Sequence, residues 1–456
     1  LLVCALYLDH PPLLQGLRSA CLLRPALCIT ILCDHTRQSR SPVPLQSYFA
    51  DTPAWKEGRI ALHTLAPPDS WATRLLSSVI PKRFNEAYFG LLHAKCLVAD
   101  DNVMITGTYT FSNAQAQTLA NPTFLTGRTG IHCAHTRQLV SRYILFRNTP
   151  VLADYYTSLV TCLANLPRTL AERRTVLQAF VDENAALLSP ELHDVPSTLS
   201  RMDTEFYHCD DNAKVCQPCK GGSIDAKVCQ SLESRSNNNA SADTVVIPTL
   251  QMGVYGITLD ATHISRIFTH LTAPDNSNRR TAGHQFTLTL CSPYLNLQPR
   301  LQNAISRLLD AGGRVHVVTG APSANGFHNS AGVSRFVPDA YTYLSTRLLQ
   351  RMPRWRGYNE YTRAGWTFHV KGLYVHARDG PVAVMAGSSN LGFRSFDRDV
   401  EAGVFLVTRN EGLRRRVMGE LDAVSRQCRP VGVDALVARN VGWGVKLATR
   451  VVRGML

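Results

Sequence analysis

Short apolar runs bounded by turn residues alternate with stretches of helical periodicity through the first third of the chain. Cys28 to Cys33 (CITILC) and Arg59 to Leu65 (RIALHTL) predict buried strands, because a short unbroken apolar run suits a strand covered on both faces. Cys96 to Gly107 (CLVADDNVMITG) predicts strand, turn and strand, with Asp100-Asp101-Asn102 as the hairpin tip. Val151 to Leu163 predicts a helix that closes this lobe.

The pattern then changes. Arg168 to Ser189 reads as a charged helix that fades into a polar tract. Asp203 to Asp243 holds Asp210-Asp211-Asn212, Gly221-Gly222 and Ser236-Asn237-Asn238-Asn239. Such a composition buries too little apolar surface to offset its ordering entropy, which predicts a disordered linker or a long surface loop. Apolar runs resume near Val245. Phe286 to Cys291 and Val315 to Thr319 predict strands, with a helix from Leu301 to Ala311 ended by Gly312-Gly313. Gly372 to His376, Val382 to Ala386 and Ala402 to Val407 predict three more. The expected organisation is a first α/β lobe over 1–165, a helix and polar linker over 166–244, and a second α/β lobe over 245–456.

A length of 456 residues suits two to four domains of about 100–200 residues each. A hydrophobic share of 45% and a mean hydropathy of −0.08 argue against wholesale disorder and against a polytopic membrane protein. No apolar stretch approaches the ~20 residues that cross a bilayer, and Leu1 to Leu8 soon meets Asp9, His10 and Pro11-Pro12. Contact with lipid is therefore expected from the surface. The chain begins at Leu1, which suggests that an amino-terminal segment, with any targeting signal, is missing or removed.

Charge narrows the partners. The 48 Lys and Arg outnumber 34 Asp and Glu to give +14, and only 8 of the 48 are Lys, leaving 40 Arg. Arginine suits bidentate phosphate contacts, so nucleic acid, phospholipid headgroups and phosphorylated metabolites all rise as partners; genomic base composition is the bland alternative. The 13 Cys do not read as a disulfide framework. Cys209, Cys216, Cys219 and Cys229 include one Cys-Gln-Pro-Cys, but a structural zinc site brings a second close pair. No metal is expected.

Each lobe contains one His-x-Lys just before a predicted hairpin. His93-Ala94-Lys95 is followed by Asp100, giving H-x-K-x4-D, and then by Gly107. His369-Val370-Lys371 is followed by Gly387-Ser388-Ser389-Asn390. In extended chain, residues i and i+2 share a face, so each imidazole stands beside an ammonium. Two such pairs face to face would surround one phosphate. One His can attack phosphorus and the other can serve the leaving oxygen as acid, while the Lys pair and an Asn amide hold the remaining oxygens. His35, His63, His132, His208 and His328 are read as ordinary surface or core side chains.

These residues resemble the phospholipase D superfamily, whose two H-x-K-x4-D motifs build one site. Further segments are similar to the eukaryotic phosphatidylglycerophosphate synthases within it. They are Ile31–Arg40 (ILCDHTRQSR), Ile80–Glu86 (IPKRFNE) before Gly90–Lys95 (GLLHAK), Ser292–Leu297 (SPYLNL), Ala324–Phe327 (ANGF), Val337–Tyr341 (VPDAY), Glu360-Tyr361 with Gly365–His369 (GWTFH), and Gly387–Glu401 (GSSNLGFRSFDRDVE). The sequence departs from the pattern at His376, where the second motif lacks its acid as the family's second copy also does. It departs again at Gly107–Asn113, where Gly-x-Asn-Leu-Ser is expected. Ala114 to His135 then interrupts the match, as a lineage-specific loop or an error in the gene model.

The resemblance implies two pseudo-symmetric phospholipase D-like lobes, each a mixed β-sheet flanked by helices, with one active site at their interface. It implies transfer of a phosphatidyl group from CDP-diacylglycerol to glycerol 3-phosphate with release of CMP, no cofactor, and peripheral contact with the mitochondrial inner membrane. His93, Lys95, His369 and Lys371 are the expected catalytic residues, with His93 as nucleophile and His369 as acid and base. Lys95 and Lys371 are expected to lower the pKa of the nucleophile. Asp100 is expected to orient the first motif. Asn390, Glu401, Arg394 and Arg398 are expected at the substrate, with Glu401 able to hold a histidine tautomer and the arginines able to read the acceptor's phosphate.

Rival readings are another phosphatidyltransferase or a phospholipase (serine, phosphatidylglycerol or water as acceptor), a nucleic-acid phosphodiesterase, and a membrane-binding module with a decayed site. No basic and aromatic run suited to single strands is present, so no nucleic-acid partner is expected. The Leu436–Leu456 stretch, with Arg439, Lys446, Arg450 and Arg453 among apolar residues, is expected to pack on the second lobe; an interfacial helix is the alternative.

Overall fold

The computed structural model describes residues 1–8, 11–41, 43–69, 88–107, 124–129, 137–188, 244–272, 286–353, 355–377 and 380–456. Its first half forms β1 (Leu2–Ala5), β2 (Ile29–Asp34), β3 (Ile60–Leu65), β4 (Cys96–Ala99), β5 (Asn102–Thr106), β6 (Phe124–Thr129) and β7 (Arg137–Phe146). The second half forms β8 (Thr244–Met252), β9 (Ile257–Thr258), β10 (Phe286–Cys291), β11 (Arg314–Gly320), β12 (Tyr358–Tyr361), β13 (Trp366–Phe368), β14 (Gly372–Ala377), β15 (Val382–Gly387), β16 (Glu401–Thr408) and β17 (Cys428–Pro430).

One sheet runs β13-β7-β5-β4-β1-β2-β3, with β6 beside β7, and the other runs β17-β12-β11-β10-β14-β15-β16-β8-β9. Inside them, β7-β5-β4-β1-β2-β3 and β16-β15-β14-β10-β11-β12 repeat one another. The first three steps of each are antiparallel and the last two parallel. The chain thus carries the expected mixed α/β architecture as a true structural duplication. One strand crosses the expected boundary: β13 leaves the second half to pair in parallel with β7 of the first sheet.

Strand alternation sorts the core into layers. Val382, Val384 and Ala386 of β15 and Ala402, Val404 and Leu406 of β16 join Leu2, Val98 and Ile105 of the first sheet in one shared core. The opposite faces pack under helices. Ala383, Met385, Phe405 and Val407 meet the helices Leu259–Thr272 and Pro299–Asp310, while Val3, Ile31 and Cys33 meet Pro11–Leu23. Strands buried on both faces explain why the sequence shows unbroken apolar runs.

The expected helix after the first lobe forms as Pro150–Ala164. Leu170–Glu183 follows, started by a capping box of Thr169 and Glu172 and burying Leu177 and Phe180. Residues 189–243, including Cys209, Cys216, Cys219, Cys229 and the polar tract, lie outside the described residues, as do Ile80–Glu86 and Asn113; of 114–135 only β6 is described. The carboxy-terminal helix Trp443–Val452 packs on the helix Val337–Arg351 of the second lobe, as expected, with Thr449 as its one buried residue.

Candidate active site

Both His–Lys pairs sit in the extended residues that lead into a hairpin, ahead of β4 and of β14, rather than within the ladder. Each is tied to the other lobe. The His93 and Ala94 amides both donate to Val400 O (2.8 and 2.7 Å), and the His369 amide donates to Val140 O (2.8 Å). Glycines sit at both junctions: Gly90, at φ +78°, leaves no room for a Cβ against Arg398 O of the other lobe, and Gly372, at φ +144°, none against Met385 O of its own sheet or the Arg142 guanidinium of the first lobe.

The side chains converge. His93 Nδ1 lies 2.8 Å from Glu401 Oε2 across the lobe interface. Ser395 Oγ donates to Glu401 Oε1 at 2.6 Å. Lys95 Nζ donates to the His93 carbonyl. Lys371 Nζ donates to Gly107 O of the first lobe at 2.7 Å and stands 3.1 and 3.2 Å from the two ring nitrogens of His369. His93, Lys95, His369, Lys371 and Glu401 are all buried.

Electrostatics follow from that burial. Burial pushes the His93 imidazole down to about 3, with Lys95 and Lys371 adding to the push and Glu401 opposing it. Burial, then Lys371, Lys95 and His93, drive His369 well below its ordinary value. Each ring therefore feels the other lobe's ammonium, as one shared site requires. Burial brings Lys95 down to about 8, with Glu401 and Asp399 opposing and Arg37 adding; Lys371 is lowered too, by burial and by Lys95. Burial would raise Glu401, but the hydrogen bond from His93 and the charge of Lys95 hold it well below the usual carboxylate range. Glu401 is then a carboxylate accepting from Nδ1–H of a neutral His93, a tautomer whose ring lone pair lies on Nε2.

The expected residues divide. Asn390 lies beside the cluster: its backbone N–H donates to Ser395 Oγ at 3.0 Å, while its buried side-chain Oδ1 has no partner. Asp100 is not brought in. It sits exposed at the β4–β5 tip with φ +50°, about 17 Å along the strand from Lys95 at the usual rise per residue, so it shapes the turn. Arg394 and Arg398 fasten protein rather than standing free for substrate. Arg394 pairs with Asp399 at 3.1 Å. Arg398 donates to the carbonyls of Tyr88 and Gly454 and lies over the Tyr88 ring.

Four residues escaped sequence reasoning although they stand in the segments quoted above. Ser395 and Asp399 flank Glu401; Asp399 Oδ1 accepts from the Leu91 amide at 2.9 Å. Asp34 accepts from the amides of Leu92 and Arg37, both at 2.9 Å, so Ile31–Arg40 is the bracket beneath the first motif. Tyr294 sets its ring edge-on to His369, 6.0 Å between centroids. Their common signal was position inside a matched segment, not residue chemistry.

His93, Asp399 and Glu401 bring possible metal-ligand atoms within 4.8 Å of one another. Hydrogen bonds account for this cluster. Glu401 serves His93 and Ser395, Asp399 serves Leu91 and Arg394, and the Lys95 ammonium beside them disfavours a further cation.

Duplicated lobes closing on one His–Lys quartet form the two-lobed, phospholipase D-like architecture expected above. The fold matches the crystal structure of phosphatidylserine synthase from Haemophilus influenzae Rd KW20 with a TM-score of 0.60 at 18% identity, covering 100% of this chain and 90% of that one. By sequence, the chain is similar to CDP-diacylglycerol–glycerol-3-phosphate 3-phosphatidyltransferases. It is 26% identical to the probable enzyme of Dictyostelium discoideum over 436 residues, 92% of this chain and 66% of that protein. It is 27% identical to the mitochondrial enzyme of Gallus gallus over 456 residues, 94% and 72%, and 27% identical to the enzyme of the same name from Saccharomyces cerevisiae over 396 residues, 82% and 67%. The chain thus spans about two thirds of the length of these relatives. No protein-family model matches it.

Proposed function

We propose that this protein is a phosphatidyltransferase that makes phosphatidylglycerophosphate from CDP-diacylglycerol and sn-glycerol 3-phosphate, releasing CMP. The observation that carries the proposal is the complete buried His–Lys quartet in a chain related over nine-tenths of its length to enzymes of that name. In the first step His93 Nε2 attacks the phosphorus that bears diacylglycerol. The N–P bond forms, the bridging P–O bond breaks, and its electron pair leaves on the CMP phosphate, which takes a proton from His369. In the second step a glycerol 3-phosphate hydroxyl gives its proton to His369 and attacks phosphorus, and the N–P electron pair returns to His93.

Lys95, Lys371 and Asn390 hold the non-bridging oxygens in this reading, and Glu401 holds the His93 tautomer. Burial and nearby cations keep His369 neutral in the free protein. An incoming diphosphate places negative charge among those cations and reverses the push, so His369 takes up its proton as substrate binds. We also place the lobe boundaries at 1–165 and 245–456, with 166–244 between.

Mitochondrial location, with peripheral contact at the inner membrane, belongs to the same proposal. It is supported by the relatives of Gallus gallus and Mus musculus, whose names place them in mitochondria. Among the described residues no helix is long and apolar enough to cross a membrane. The test is CMP release from CDP-diacylglycerol with glycerol 3-phosphate, serine or water as acceptor. Release that depends on glycerol 3-phosphate is expected; equal turnover with serine or water would overturn the assignment.

A further inference from the structure

The helix Trp443–Val452 shows its apolar face to solvent. Trp443, Leu447 and Val451 follow at four-residue intervals along one side and are 78%, 51% and 79% exposed. Its more buried side carries Thr449, which donates to Val445 O, with Val445 and Val452 partly buried, while the exposed Arg450 reaches Tyr343 Oη through Nε at 2.7 Å. Three large apolar side chains along one side are thus left mostly in water, an apolar stripe of the kind that marks an interaction surface.

The surroundings are cationic. Lys446 and Arg450 lie on the same helix, Arg453 follows it, and Arg347 and Arg351 come from the adjoining helix Val337–Arg351. Arg453 is lowered by burial and by the charges of Arg351 and Arg347, so these guanidinium groups stand close together. Among the described residues none of the five forms an ion pair with a carboxylate, and Asp434 is the one acid in the last 24 residues of the sequence.

The residues that follow the helix touch segments that carry active-site residues. Asn296 Nδ2 donates to Arg453 O and Leu456 O (2.7 and 3.2 Å), and Arg398 Nε donates to Gly454 O (3.0 Å). The Arg453 guanidinium lies 4.8 Å over the Phe393 ring. Phe393 begins the single helical turn that carries Ser395, the residue bonded to Glu401, and Asn296 shares its loop with Tyr294 beside His369.

We propose that the Trp443–Leu447–Val451 stripe is the surface by which this protein sits on a bilayer of anionic phospholipid. Its apolar residues enter the headgroup boundary, and Lys446, Arg450, Arg347, Arg351 and Arg453 face the lipid phosphates. That orientation brings the mouth of the His–Lys site to the membrane plane, where a diacyl substrate resides. The proposal deepens the phosphatidyltransferase reading and rests on it only for that last consequence.

The test pairs vesicle sedimentation with turnover of a water-soluble short-chain CDP-diacylglycerol. Full-length protein is expected to sediment with phosphatidylcholine vesicles containing phosphatidylglycerol, less with phosphatidylcholine alone, and less at high salt. W443Q/L447Q/V451Q is expected to lose about tenfold or more in partitioning, from the apolar area it forfeits, with turnover of the short-chain substrate unchanged. V451W is expected to bind vesicles more tightly than the parent. Sedimentation of the triple variant equal to the parent's would overturn the proposal, as would a stripe that instead mediates self-association with vesicle binding unaltered. Stripe-dependent vesicle binding without any glycerol 3-phosphate-dependent turnover would sink the transferase reading and leave the docking surface standing.

Discussion

Glu401 of β16 bonds His93 of the first lobe at 2.8 Å, joining residues 308 positions apart. The contact fixes which ring nitrogen of His93 carries the proton, and it supports His93 as the nucleophile in the proposed mechanism. Glu401→Gln keeps the shape, removes the charge, and lets the amide NH2 compete for Nδ1. Turnover should fall by about 10²–10⁴-fold, as when a triad carboxylate is made an amide, with the melting temperature little altered. Single-turnover CMP release measures it, and a loss smaller than about threefold would remove Glu401 from the chemistry.

Lys95 gives a pH signature. Its pKa is about 8 in the folded protein, against an ordinary value of 10.5. Below pH 8 both folded and unfolded chains hold the proton, and the folded one bears the full burial penalty. Between 8 and 10.5 the unfolded chain holds more protons, so this group's contribution to stability rises with pH. The stability difference between Lys95→Met and the parent should therefore shift in the parent's favour by about 3 kcal/mol from pH 7 to pH 10.5. Denaturant melts at the two pH values check it; no convergence would mean that Lys95 is not held in a desolvated site.

Asp100→Asn should leave turnover within about twofold of the parent, because the residue lies at an exposed tip and Asn accepts a left-handed backbone. Steady-state kinetics decide. A large loss would return Asp100 to the motif role suggested by sequence.

Arg142 and Glu420 form a buried ion pair at 2.8 Å between the first lobe and a helix of the second. Tyr374 Oη donates to Glu420 at 3.0 Å, and Arg142 lies over the Tyr374 ring. Glu420→Gln should lower unfolding free energy by about 3–5 kcal/mol, since it strands a buried guanidinium. Replacing both partners, as Arg142→Met with Glu420→Leu, should recover most of the loss. Urea unfolding of the single and double variants tests the pair; equal losses in both would deny the coupling.

The strands around the site were legible because their residues are apolar on both faces: CITILC, Phe286–Cys291 and Val382–Ala386 each became a strand within a residue or so. The His–Lys pairs were legible because the motif recurs. What stayed hidden depends on long-range folding. Nothing local shows that β13 joins the other lobe's sheet, or that Arg394 and Arg398 spend their charge on Asp399 and on backbone carbonyls. Asp100 misled for the opposite reason: its spacing fits a motif, but a hairpin turn carries it away from Lys95.

The reciprocal tethers from His93 to Val400 and from His369 to Val140 have a bearing on biosynthesis. Because each imidazole borrows its foothold from the opposite half, a nascent chain released before β16 is made lacks Val400 and Glu401, and would leave the ribosome inert rather than partly active. A premature stop anywhere ahead of that strand is then a complete loss of function, whatever fraction of the polypeptide survives.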